Sequence, residues 1–305
     1  MYDLAILGGG PAGVAAGVYA SRKRLKTVFI TEGWGGQSVD SMGIENWIGT
    51  VKIAGPDFAE MLRKHLEAYA GDVVTIQEGE RVEKISKSNN QFSIKTASDE
   101  YEARTVLITT GSSRRKLDIP RAAEFENKGI TYCASCDGPL FTDKNVVVIG
   151  GGNAGFETAA QLLAYTKSVT LITHSKFKAD PITIQKVLAN PKMKALEYAT
   201  PLEIKGEKFV NAIVYQDDNT KTTTELSAEG IFVEIGLIPN TDFAKGVLEL
   251  NKINQIVIDP RTQASSVEGI WAAGDSTDVL YHQNNIAAGD AVRALEDIYM
   301  YLHTK

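Results

Sequence analysis

The sequence predicts an α/β protein made of two Rossmann-like, three-layer dinucleotide-binding domains, the second inserted in the first and both extended by β-meanders. Three observations carry this expectation. Two glycine-rich turns, Gly8-Gly9-Gly10-Pro11-Ala12-Gly13 and Gly150-Gly151-Gly152-Asn153-Ala154-Gly155, read G-x-G-x-x-G. Each follows a short run of strand formers, precedes a helical pattern and leads to a further strand, the setting in which such a turn binds a dinucleotide. The chain has 305 residues, enough for two hydrophobic cores.

The elements follow in order. Residues 2–7 form an apolar strand. In the turn after it, the first glycine permits a tight bend, the second lets the backbone approach a pyrophosphate, and the third lets the helix pack on the strand. A helix over 14–22 and a strand over 26–30 complete the unit. Pro56 starts a helix over 57–70, with Phe58, Met61, Leu62, Leu66 and Tyr69 on one face. Residues 73–108 read as short strands with polar turns, Ser88-Asn89-Asn90 among them, and so as a meander. The second unit repeats the pattern with a strand over 145–149, a helix over 156–165 and a strand over 168–173. A hairpin at 205–226 and an apolar-striped helix over 287–302 follow.

Composition narrows the function. Hydrophobic residues make up 43% and charged residues 23%, as in an ordinary globular protein, and the net charge is -6. An acidic balance argues against a nucleic-acid partner, which needs a basic surface. No apolar run reaches the length of a membrane span, and the N-terminus reads as a buried strand rather than a signal peptide. A cytosolic location and no membrane partner are expected.

The two cysteines, Cys133 and Cys136, share one C-x-x-C. The loop they close is too short to staple a fold. A zinc site would need two more ligands, and His65, His174, His282 and His303 are scattered singly, so no metal is expected. Glu32 falls just past the second strand, where a carboxylate accepts hydrogen bonds from a ribose and repels a 2′-phosphate. The equivalent step from Gly150 reaches His174, followed by Ser175 and Lys176, cationic and hydroxyl groups that suit a 2′-phosphate and so NADPH, with NADH the alternative.

The phrases GGGPAG, EGWGGQ (32–37), ENWIG (45–49), TTGSSRRKL (109–117), CASCDG, GGGNAG, EIGLIPNT (234–241) and AAGDSTD (272–278) run along essentially the whole chain. In this order they resemble the low-molecular-weight bacterial thioredoxin reductases. Residues 169–275 are also similar to the flavoprotein subunit of alkyl hydroperoxide reductase, which carries an additional N-terminal disulfide domain, whereas this sequence opens on the first strand. The resemblance implies a FAD-containing, NAD(P)H-dependent reductase of a thioredoxin-like protein, a homodimer. It implies a discontinuous FAD domain (1–116 and 243–305) and a NAD(P) domain (117–242) carrying the redox pair.

It also implies roles. Gly8, Gly10, Pro11, Ala12 and Gly13 hold the FAD pyrophosphate, Glu32 its ribose and Asp275 its ribitol. Gly36, Gln37, Asn46 and Gln283 border the flavin, Val82 meets the adenine through its backbone, and Thr110 and Gly111 close over the cofactor. Gly152, Asn153, Ala154 and Glu157 face the nicotinamide dinucleotide, with His174 and Lys176 beyond. Cys136 meets the flavin, Cys133 exchanges with the partner protein, and Asp137 carries the proton. The inserted domain is expected to rotate, presenting disulfide and nicotinamide in turn. Two departures stand out: the paired arginines of NADPH-specific members are replaced by Thr-His-Ser-Lys, and Asn284 and Asn285 stand where small or apolar residues are usual. The missing arginines keep open a ferredoxin-type donor. A thiol oxidase, which would pass electrons to oxygen, and a flavin-binding redox sensor also stay open.

Overall fold

The computed structural model describes residues 1–41, 43–88 and 91–304, so the turn expected at Asn89-Asn90 lies outside the described residues. The chain divides into two compact units, Met1–Ser113 with Ile238–Lys305, and Arg114–Leu237. The divisions fall at 113/114 and 237/238 rather than at 116/117 and 242/243.

The first unit opens with β1 (Tyr2–Gly9), whose Leu4, Ala5, Ile6 and Leu7 have no exposure at all. A strand buried on both faces needs a continuous apolar run, which these residues supply. α1 (Pro11–Arg22) starts earlier than the expected residue 14, because Pro11 is preset for the first helical turn. β2 (Thr27–Trp34) lies parallel to β1 and outlasts the expected strand: the pairing Gly9↔Trp34 carries it past Glu32. α2 (Gly55–Ala70) buries Phe58, Leu62 and Leu66, while Tyr69 is 46% exposed and faces the Arg22 guanidinium.

β3 (Val74–Glu78) is parallel to β2 and belongs to the main sheet, not to the meander. The meander is β4 (Val82–Ser88), β5 (Gln91–Thr96) and β6 (Glu100–Ile108), antiparallel in sequence. β6 then returns parallel to β1, giving the order β3-β2-β1-β6-β5-β4. β7 (Ser112–Arg114) leads out of this unit.

The second unit begins with β8 (Ile130–Thr131) and the short α3 (Ala134–Asp137). β9 (Asn145–Ile149), α4 (Asn153–Leu162), β10 (Ser168–Ile172), α5 (Pro181–Leu188) and β11 (Met193–Leu196) follow. Where a hairpin is expected, three antiparallel strands form: β12 (Ala199–Gly206), β13 (Val210–Asp217) and β14 (Thr223–Ser227). β15 (Gly230–Val233) completes a parallel sheet of order β11-β10-β9-β15-β8. β16 (Leu237–Pro239) pairs with β7, so the two chain crossings form their own small sheet.

Back in the first unit, β17 (Ile270–Ala272) adds parallel to the last residues of β6. The C-terminal α6 (Asn284–Thr304) packs Ala287, Ala291, Ala294, Leu295 and Ile298 inward with α1. Each unit has apolar clusters on both faces of its sheet, so the glycine turns are held on rigid strand ends.

Candidate active site

In the first unit the fingerprint turn is locked by close approach. Gly8 has φ +117, a region that favours glycine, and a side chain there would meet the Thr109 carbonyl. A side chain on Gly13 would run into the carbonyl of Gly8. Gly10 differs: the nearest atom to a Cβ built on it is Gly36 Cα at 3.9 Å, so the space above it is open. No side chain caps the N-terminus of α1. Open space over Gly10 beside an uncapped helix N-terminus fits the pyrophosphate of a bound FAD.

The remaining expected flavin residues of this unit gather from four segments. Glu32 is exposed at the end of β2, with Arg81 Nη1 3.8 Å from its Oε2 and Val82 next along the chain. Gly36 and Gln37 open a 3-10 turn, Gly36–Asp40. Gln37 Nε2 donates to Asp275 Oδ2 at 3.0 Å and to Ser112 Oγ at 3.1 Å. Asn46 Nδ2 donates to Gln283 Oε1 at 3.2 Å. Thr110 is tied to Asn240: its hydroxyl donates to the Asn240 carbonyl at 2.7 Å, and Asn240 Nδ2 donates back to the Thr110 carbonyl at 3.0 Å. Gly111, at φ +62, accepts from the Asn240 N–H. Asn240 and Ser112 are thus neighbours of expected site residues, and the phrases they belong to gave them no role. His282 is a further neighbour, whose Nδ1 lies 3.3 Å from Asp275 Oδ1 without hydrogen-bond alignment.

The second unit holds the disulfide and the second fingerprint. Cys133 and Cys136 are joined by a disulfide, with Cα atoms 5.3 Å apart. Cys133 caps α3, its Sγ accepting from the Cys136 N–H at 3.1 Å. Asp137 follows at once and accepts from the Thr131 hydroxyl. Burial pushes the Asp137 carboxyl above its ordinary range, against the lowering effects of Thr131 and of the Arg114 guanidinium.

Gly150 (φ +136) and Gly155 repeat the geometry of Gly8 and Gly13: a side chain on Gly155 would meet the Gly150 carbonyl. Nothing lies within 4 Å of a Cβ built on Gly152, so this turn is open to a second pyrophosphate. Ala154 and Glu157 are exposed on α4. Asn153 is partly committed, its Oδ1 accepting from the Asp180 N–H at 2.8 Å. The segment after β10 is pinned at two more points: the Lys178 N–H donates to the Gly151 carbonyl at 2.8 Å, and the Phe177 N–H to Glu197 Oε1 at 2.7 Å. His174 and Lys176 are exposed there, Ser175 half-buried. Glu197, one residue past β11, brings a carboxylate to this segment that its sequence position did not signal.

Glu234, the first residue of the phrase EIGLIPNT, is another residue to which the motif gave no role. Its Oε1 accepts from Thr158 Oγ1 at 2.8 Å, and Arg114 Nη1 lies 4.0 Å from its Oε2. Burial raises its proton affinity, with Thr158 and Arg114 opposing and Glu157 adding to the rise. Among the described residues no cluster of His, Cys, Asp or Glu is arranged to hold a metal ion, and no helix is long and apolar enough to cross a membrane.

Two nucleotide turns on separate units, with a cysteine pair in one of them, define a flavoprotein disulfide oxidoreductase. The family model for pyridine nucleotide-disulphide oxidoreductases matches residues 2–291, and the chain belongs to that family. It is 37% identical over 99% of its length to a protein named NADH dehydrogenase from Bacillus subtilis, of which it spans 58%. It is 38% identical over 96% of its length to an alkyl hydroperoxide reductase subunit from Pseudomonas aeruginosa, of which it spans 57%. The chain therefore spans under two thirds of these curated relatives. Thioredoxin reductase from Giardia duodenalis superposes with a TM-score of 0.94 at 32% identity, covering 99% of both chains. The fold is that of the thioredoxin reductases.

Proposed function

We propose that the protein passes electrons from NAD(P)H through FAD and the Cys133–Cys136 disulfide to the disulfide of a thioredoxin-like protein. The observation that carries this reading is a disulfide with an adjacent, burial-shifted carboxyl in a unit that also has an open nucleotide turn. FAD and a nicotinamide dinucleotide are the cofactors of the family. FAD, when bound, supplies the two-electron relay between donor and disulfide.

The residues of the chain do the rest. Gly10 and the start of α1 hold the FAD pyrophosphate, Glu32 its ribose, and Asp275, oriented by Gln37, its ribitol. Two electrons and two protons convert Cys133–Cys136 to a dithiol, Cys136 being the sulfur on the flavin side. Cys133, as thiolate, attacks one sulfur of the substrate disulfide, and the other leaves as a thiol. Cys136 then attacks Cys133, releasing the second substrate thiol and re-forming the pair. A thiolate is the nucleophile, so a proton must leave and return at each exchange. Asp137, with its raised proton affinity, is the carrier.

NADPH is the donor supported by the exposed His174 and Lys176 and by Ser175. NADH is the second reading, supported by the Glu197 carboxylate that holds the same segment. A homodimer is supported by the exposed Ile48, Val51, Leu280 and Tyr281 of the first unit, apolar groups that a partner copy would cover.

Anaerobic titration with each dinucleotide, followed by flavin bleaching, tests the donor. A kcat/KM ratio above one for NADPH over NADH is expected. The inverse ratio assigns the role to NADH, and no bleaching by either discards the nicotinamide reading in favour of a ferredoxin-type donor. Cys133→Ser and Cys136→Ser should each abolish reduction of a thioredoxin-like disulfide while flavin bleaching persists. Turnover surviving either change would sink the disulfide reading.

A further inference from the structure

The departure at Asn284-Asn285 has a structural counterpart that the proposed chemistry does not use. Three consecutive side chains at the start of α6 grip the segments that follow β2. Gln283 Oε1 accepts from Asn46 Nδ2 at 3.2 Å. Asn284 Oδ1 accepts from Ser38 Oγ at 2.9 Å. Asn285 does more: its Nδ2 donates to the Asn46 carbonyl at 2.7 Å, and its Oδ1 accepts from the Ile48 N–H at 3.3 Å. One carboxamide thus satisfies a backbone acceptor and a backbone donor two residues apart, as a neighbouring strand would. Backbone groups in irregular chain lack the partners that a helix or sheet supplies, and here a side chain provides them.

What these bonds hold in place matters for the cofactor. Ser38 follows Gln37, the residue that reaches Asp275, and Asn46 is itself an expected flavin neighbour. Among the described residues, a two-residue bridge, Ile44↔Ile53, is the strand pairing these segments make. Ile44 and Trp47 anchor the segment on the core, and the Gly55 N–H donates to the Ser41 carbonyl at 2.8 Å, so the Asn285 bonds set the stretch from Asn46 to Ile48 beyond those anchors. Small or apolar residues at 284 and 285 could offer neither donor nor acceptor.

We infer that Asn285, assisted by Asn284, is a positioning residue for the flavin: it latches the segments carrying Gln37 and Asn46 onto the N-terminus of α6 and thereby sets how tightly FAD is retained. The inference rests on the proposed flavin site of the first unit. Asn is required because both ends of the carboxamide are used. Asp places a charge against the Asn46 carbonyl and loses the donor; Leu keeps the bulk and loses both bonds.

The test is the rate of FAD release from the reconstituted full-length protein, read by the rise of free-flavin fluorescence after dilution. Asn285→Asp and Asn285→Leu are each expected to speed release about tenfold or more, from two hydrogen bonds of ordinary strength. Asn284→Ala and Ser38→Ala should each give a smaller increase in the same direction. The unfolding midpoint of the flavin-free protein is measured beside it. A latch specific to the cofactor leaves that midpoint unchanged, whereas a merely structural residue lowers it in proportion. Wild-type release in Asn285→Asp and Asn285→Leu, or a release rate that only tracks a lowered midpoint, overturns the inference. Should either variant fail to fold, Ser38→Ala decides, because its hydroxyl lies at the edge of the latch: wild-type release there overturns the inference too. A wild-type protein that takes up no FAD overturns the flavin reading and this inference together.

Discussion

Two carboxyls of the second unit are held above their ordinary range by burial, and they separate chemistry from packing. Asp137 stands beside the cysteine pair, and Glu234 stands behind the nucleotide turn bonded to Thr158. A folded-state pKa above the unfolded value of 3.8 means that the folded form keeps the Asp137 proton longer. The stability this supplies is complete below pH 3.8 and is lost as pH rises through the folded pKa. At neutral pH the ionised group is therefore a burden on the fold. Asp137→Asn should unfold at a higher temperature than wild type at pH 7, with the gain shrinking as pH falls toward 3.8. The same variant should lose roughly 10²–10⁴ of its disulfide-reduction rate, the usual contribution of a general acid–base group. A variant as fast as wild type removes Asp137 from the proton path. Glu234→Gln is the companion: it keeps a partner for Thr158 and removes the buried charge, so it should stabilise the fold at neutral pH without a loss on that scale. Asp137 stands out in the sequence because it adjoins the cysteine motif, and its burial beside that pair is what the fold adds. Glu234 and Arg114 lie in motif phrases too, but their proximity was not legible, because only the folding of β15 and the first chain crossing brings them together.

At the scale of elements, the glycine turns sort into positions that serve the fold and positions that serve a ligand. Gly13 and Gly155 face backbone carbonyls, so Ala at either should prise helix from strand and lower stability, by about 1–3 kcal/mol for an overpacked contact. Gly10 and Gly152 face open space, so Ala there should leave the apoprotein's unfolding midpoint unchanged. Gly10→Ala should instead weaken FAD binding, and Gly152→Ala the affinity for the nicotinamide dinucleotide alone. Comparing thermal unfolding of apoprotein with the two binding affinities checks all four. An unaltered FAD affinity in Gly10→Ala would count against the pyrophosphate assignment.

This division explains what pattern reading could reach. A strand, G-x-G-x-x-G and a helix are local, since turn, close approach and helix start lie within a few residues, and both copies were legible. Strand and helix ends were less so. β2 runs on to Trp34 because Gly9 pairs with it, and α1 and α4 begin inside the turns themselves. β3 looked like part of the meander, yet its parallel partner is β2, a pairing made across the length of α2. Thr110 and Asn153 matched a nucleotide pattern, and their side chains also meet Asn240 and the backbone of Asp180, contacts no local pattern encodes.

At the scale of the whole molecule, the division of labour poses a mechanical problem. The proposed flavin residues belong to the unit of Met1–Ser113 and Ile238–Lys305, while Cys133, Cys136 and the second nucleotide turn belong to Arg114–Leu237. In the proposed reaction one flavin must receive electrons from a donor bound to the second unit. It must then deliver them to a disulfide on that same unit, whose thiols must next reach a protein substrate. The chain crosses between the units only twice, at 113/114 and 237/238, and the crossing strands β7 and β16 are three residues each. So slight a connection suits a hinge, and rotation of units on such hinges takes microseconds to milliseconds, fast enough for ordinary turnover. We expect turnover to require that the second unit alternate between presenting the dinucleotide and presenting the disulfide. A verified covalent crosslink joining the two units should abolish steady-state reduction of a thioredoxin-like protein. One half-reaction, either flavin bleaching by the donor or exchange at the disulfide, should survive in the crosslinked sample, and cleaving the crosslink should restore the whole. Undiminished multiple turnover with the crosslink intact would mean that a single arrangement serves both transfers, and the alternation would have to be abandoned.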